Sequence, residues 1–101
     1  MNIQAMMQQA RKMQAEMEKK QAELATQSFE AASGGGMVTV KVSGQMQLQT
    51  VTIDPTIAKP EEVDLLQDLV LTATNEALGK AQAAAQGLMS GMMPSALKGM
   101  F

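Results

Sequence analysis

Charge is the main chemistry this chain can offer. Its 101 residues include no cysteine, histidine, tyrosine or tryptophan. That removes thiolate nucleophiles, imidazole bases and the ligands of most zinc, iron and copper sites. What remains is a cluster of four of the eight basic residues, Arg11, Lys12, Lys19 and Lys20, whose chemistry is contact with anions. An enzyme would need carboxylates or lysines held in a pocket, and nothing in so short a chain points to one. The expectation is therefore a protein that is not an enzyme, with no cofactor, no metal and no small-molecule substrate.

Helical spacing sorts the four cations. Glu16 is four residues from both Lys12 and Lys20, and Glu23 is four from Lys19, so these lysines have local partners available. Arg11 has no acid three or four residues away on either side. A guanidinium also grips oxyanions through two parallel N–H donors, which puts Arg11 first. For the lysines the competing reading is the solvated face of an amphipathic helix.

Two other features resemble ligand sites and are better explained otherwise. Gly34-Gly35-Gly36 lacks a following Gly-Lys-Ser/Thr and precedes a strand, so it is read as a backbone hinge and not a phosphate cradle. Glu61, Glu62, Asp64 and Asp68 lack a calcium-type ligand loop and suit the positive end of a helix.

These residues need elements to carry them. Ile3, Ala10, Met17 and Leu24 recur every seven residues with Met6 and Met13 between, predicting a long helix over residues 1–27 with Asn2 as its cap. At 1.5 Å per residue such a helix is about 35 Å long, more than a small sheet can cover. Part of its stripe should therefore meet another helix or another chain. Lys20 falls where the next apolar residue belongs, at the point of leaving a partner or with its stem snorkelling.

Residues 27–32 fit either a short strand or the end of that helix. The glycines then turn the chain from the helix into the sheet. Val38, Val40 and Val42 alternate with Thr39, Lys41 and Ser43, the period of a half-buried strand over 37–42. Ser43-Gly44 reads as a two-residue turn and 45–53 as the next strand, with Asp54-Pro55 ending it. Met46 and Leu48 fall on the face opposite Val51 and Ile53, which predicts a bulge or a change of buried face near Gln49-Thr50. Pro60 opens a second long helix over 60–90, whose face is Leu66, Leu69, Val70, Ala73, Ala77, Ala81, Ala84 and Leu88. Gly79 and Gly87 are weak points in it. Residues 91–101 read as an apolar tail.

The whole is one domain of α+β class, with a small antiparallel sheet of two to three strands between two long helices. Apolar residues make up 46% of the chain, eleven of them methionine, and aromatics only 2%. The core must be aliphatic and adaptable. No apolar run suits a signal peptide or a membrane span, so the expectation is a cytoplasmic protein with no membrane partner. Net charge is −2, with the first 59 residues weakly positive and the remainder negative.

Five segments in this order carry a resemblance. They are Met6-Met7-Gln8-Gln9-Ala10-Arg11-Lys12-Met13-Gln14, Gly34-Gly35-Gly36-Met37-Val38, Val51-Thr52-Ile53-Asp54-Pro55, Leu66-Gln67-Asp68-Leu69-Val70 and Ala73-Thr74-Asn75-Glu76-Ala77. Together they cover nearly the whole chain, which resembles the YbaB/EbfC family of bacterial nucleoid-associated proteins. The resemblance implies a homodimer with joined sheets and protruding helices, located at the nucleoid. It implies binding of double-stranded DNA with little sequence preference and an influence on nucleoid organisation and gene expression.

On that footing Arg11, Lys12, Lys19 and Lys20 become the candidate DNA contacts. With no aromatic platform for base stacking, affinity must come from phosphates. Gln4, Gln8 and Gln14 can hydrogen-bond to phosphates or base edges, though Gln is also an ordinary helix former. The alternative is a protein-interaction module using the helix stripe and the tail methionines Met89, Met92, Met93 and Met100.

Overall fold

The computed structural model describes residues 2–92, with side chains described as far as 88. Helix α1 spans Ile3–Ala25, strands β1, β2 and β3 span Ser28–Ser33, Val38–Ser43 and Leu48–Ile53, and helix α2 spans Val63–Met92. Two short 3-10 turns, Pro55–Ile57 and Pro60–Glu62, join β3 to α2. The sheet is antiparallel with β2 in the middle.

Asn2 caps α1 as expected, its side chain accepting the N–H groups of Gln4 and Ala5. The helix stops because Thr26 and Gln27 turn back onto the carbonyls of Glu23 and Leu24. The segment left open between helix and strand is therefore a strand. In β1, Phe29, Ala31 and Ser33 stand opposite Val42, Val40 and Val38 and share their face of the sheet.

This corrects the expected role of the glycine triplet. Gly34, Gly35 and Gly36 join β1 to β2, not α1 to the sheet, and all three have positive φ. Gly34 also lies against α2: a Cβ there would come within 2.8 Å of Leu69 Cδ1. At the same corner, buried Ser33 donates its hydroxyl to the Leu69 carbonyl at 2.6 Å. The triplet thus closes a hairpin tightly enough for α2 to cross it.

The second hairpin also departs from expectation. Its loop is longer than Ser43-Gly44, with Ser43 N–H bonded to the Gln47 carbonyl and Met46 in a left-handed conformation at φ 64°. The third strand consequently begins at Leu48 and not at Gln45. The bulge falls where the pattern placed it: Lys41 faces Thr50 while Val42 faces Leu48, leaving Gln49 as the extra residue. Its side-chain carbonyl accepts the Ser28 hydroxyl at 2.8 Å.

The core lies between the sheet and α2. Val38, Val40 and Val42 are fully enclosed, with Ala31, Ile57, Ala73, Ala77 and Ala81 around them and Leu66, Leu69, Val70 and Phe29 at the rim. The small alanines let α2 approach the valines closely. It runs unbroken through Gly79 and Gly87, and continues to Met92, past the expected end near residue 90. The tail reading falls on residues 93–101, which lie outside the described residues.

Helix α2 covers β1 and β2 and leaves β3 largely uncovered, while α1 meets α2 and has little contact with the sheet. No α1 side chain is fully buried, and Ile3, Met6, Met7 and Met13 are exposed. The radius of gyration is 19.7 Å, against about 13 Å for a compact chain of this length. Most of α1 therefore projects from the body.

Candidate nucleic-acid interface

The projecting helix carries all four candidate cations, and each is exposed to solvent. They do not form one patch. At about 100° per residue, Lys12 and Lys19 share a face, while Arg11 and Lys20 lie roughly a quarter-turn to either side of them. Lys20 is turned toward α2, where with Glu23, Leu24, Gln27, Ala84 and Leu88 it lines a cleft of about 270 Å³. Arg11 instead borders a shallow groove of about 390 Å³ with Gln4, Met7 and Gln8.

That groove has side chains able to hold an oxyanion. It sets a guanidinium beside two neutral amides, each able to donate a hydrogen bond without adding negative charge. Among the described residues, none of the side-chain hydrogen bonds engages Arg11, Lys12, Lys19 or Lys20. The lysine–glutamate pairs that the spacing allows do not appear as hydrogen bonds, so the lysines remain available to an external anion.

Of the basic residues outside α1, Lys41 falls on the polar face that the strand's alternation gives it, while the setting of Lys80 had no signal in the sequence pattern. Lys41 is half-buried on the polar face of the sheet, opposite Glu30 on β1 and Thr50 on β3. Lys80 reaches from α2 to donate its ammonium to the Glu30 carbonyl at 2.7 Å. These residues are fifty positions apart, beyond any local periodicity. Among the described residues no group of three or more Asp, Glu, His or Cys side chains is arranged to hold a metal ion. Asp64 lies in the first turn of α2 and Glu61 and Glu62 in the turn before it, the end of a helix that favours negative charge.

Besides its contact with α2, α1 is held by one close backbone approach. Gly44, in the β2–β3 loop, donates its N–H to the Gln27 carbonyl. A Cβ at that position would overlap the backbone carbonyl of Leu24. The helix thus leaves the body at an angle set by backbone packed on backbone, with Leu24 and Leu88 beside the contact.

Comparison with known proteins bears on which anion the protein meets. The family model described as the YbaB/EbfC DNA-binding family matches residues 1–97. The chain belongs to that family. A nucleoid-associated protein of Chloroflexus aurantiacus is 44% identical over 101 residues, with both chains covered completely. A nucleoid-associated protein of Clostridium novyi is 47% identical over 81 residues, covering 80% of this chain and 71% of its own. The crystal structure of an uncharacterized protein from Helicobacter pylori superposes with a TM-score of 0.83 at 21% identity, covering 93% of this chain and 99% of the other. That likeness shows the α+β fold alone. Family membership favours nucleic acid over the protein-docking alternative. No described helix is long and apolar enough to cross a membrane.

Proposed function

We propose that this YbaB/EbfC-family chain is a homodimeric, non-catalytic protein of the cytoplasm that binds double-stranded DNA at the nucleoid with little sequence preference. By occupying DNA in this way it influences nucleoid organisation and gene expression. Membership of a DNA-binding family supports the ligand, and the observation that carries the binding mode is the projecting α1. It presents Arg11, Lys12 and Lys19 to solvent on two adjoining faces, with Lys20 nearer the body. Lysine and arginine contacts to phosphate hold a duplex without reading its sequence.

A net charge of −2 keeps this attraction local to α1 and makes binding weak and salt-sensitive. The homodimer is supported by apolar surface that one chain leaves bare: Ile3, Met6 and Met13 on α1, and Leu48 and Val51 on β3.

The test is affinity for two duplexes of equal length and unrelated sequence at one low salt concentration, measured by fluorescence anisotropy. The expected dissociation constants agree within a few-fold. Undetectable binding to both, or a thousand-fold preference for one, overturns the reading.

A further inference from the structure

The chain has none of the Cys, His, Tyr or Trp side chains that compete for an oxidant, and it has eleven methionines. Its oxidation chemistry is therefore that of thioethers, and the sulfurs that solvent reaches react first. Among the described residues Met6, Met7, Met13 and Met46 are exposed, at 54, 51, 45 and 36%.

Their settings differ. Met46 belongs to the β2–β3 loop. On α1, neither Met6 nor Met13 has a cation three or four residues away, and the groove beside Met13 has Glu18 as its one charge. Met17 is three residues from Lys20 but is half-buried. Met7 is four residues before Arg11, and the two line one groove. A long helical side chain leans back toward the N-terminus, so the Arg11 stem lies over the turn that holds Met7. Met7 is also about 100° round the helix from Met6 and about 120° from Met13, outside the apolar surface assigned to the homodimer. Arg11 makes none of the described side-chain hydrogen bonds, and a thioether is too weak an acceptor to hold it.

We propose that Met7 is a modification site for hydrogen peroxide, and that its sulfoxide draws Arg11 away from DNA. The sulfur lone pair attacks one peroxide oxygen and the O–O bond breaks. The departing hydroxide takes the proton left on the transferred oxygen and leaves as water. Sulfur gives up two electrons and the peroxide receives them. The sulfoxide oxygen is an uncharged acceptor that takes an Arg11 N–H within the helix, a charge-assisted bond that competes with phosphate. Methionine sulfoxide reductases, with a dithiol as reductant, restore the thioether. The inference rests on the DNA-binding reading above and adds regulation to it.

The test uses the full chain as parent, Met7→Leu and Arg11→Ala, each titrated with one random-sequence duplex before and after hydrogen peroxide. Peptide mass spectrometry locates each added oxygen, and circular dichroism follows helix content. Oxidation should weaken the parent about three-fold, the worth of one hydrogen bond, and make its salt slope as shallow as that of Arg11→Ala. Reductase should reverse both changes. The loss, read as a ratio within each protein, should be absent from Met7→Leu and from Arg11→Ala. An equal loss in the parent and Met7→Leu places the effect on other methionines and overturns the proposal. So does undiminished affinity in a parent whose Met7 carries oxygen, a Met7 left unmodified while Met6 and Met13 are oxidised, or a fall in helix content that accompanies the loss. A loss that persists in Arg11→Ala overturns the pairing of Met7 with Arg11. A reduced parent with no affinity for duplex overturns the DNA reading itself, before any oxidant is added.

Discussion

Asp54 shows how a single side chain ends one element and starts the next. Its carboxylate accepts both the N–H and the hydroxyl of Thr56, at 2.9 and 2.8 Å, and these bonds hold its pKa below the ordinary carboxylate value. Pro55 then supplies a fixed φ for the first turn, and Ile57 is carried into the core. Because the folded value lies below the unfolded one, about 3.9, the stabilisation is complete above that pH. It is lost as pH falls through the folded value. Asp54→Asn keeps an acceptor for Thr56 but no charge. Urea denaturation should therefore show the variant less stable than the parent at pH 7, with the gap narrowing by pH 3. A gap that stays constant or widens on acidification would mean the carboxylate is not what Thr56 needs.

At the scale of elements, α1 is attached by its packing on α2 and by the contact between Gly44 and the Leu24 carbonyl. Gly44→Ala has no flexible side chain to displace, so the helix end or the loop must shift. We expect a loss of about 1–3 kcal/mol, the usual cost of forced overpacking, measured by urea titration. An unchanged midpoint would show that the two segments separate freely. No signal for this approach exists in the sequence, because Ser-Gly fits a short hairpin turn equally well.

The elements themselves were largely legible. The spacing of Leu66, Leu69, Val70, Ala73, Ala77, Ala81, Ala84 and Leu88 identified the packed face of α2, and opposed faces around Gln49 located the bulge. Both are periodicities of four to twenty residues, which local order can express. The glycine triplet was misplaced because positive φ specifies a sharp turn without saying which elements it joins. Strand β1 was ambiguous since Phe29 and Ala31 alternate too briefly to exclude a helix end. In the candidate site, the types and exposure of Arg11, Lys12, Lys19 and Lys20 were legible in the helical pattern. The turning of Lys20 toward α2 and the contact of Lys80 with Glu30 depend on distant packing.

For the molecule as a whole, an elongated body 71 × 26 × 15 Å holds its core at the sheet and sends a weakly cationic helix outward. Bare apolar residues on α1 and β3 predict that mass measured by sedimentation corresponds to two chains at micromolar concentration. A monomer persisting to the highest soluble concentration would contradict that. The central claim is that α1 holds duplex DNA through its cations. It is tested most directly by the slope of log affinity against log salt for the parent protein and Arg11→Ala, on one random-sequence duplex. The parent should show the slope of a few phosphate contacts, and Arg11→Ala should bind more weakly with a slope shallower by about one unit for each Arg11 engaged. Equal slopes for the two proteins, or a parent affinity indifferent to salt, would contradict it.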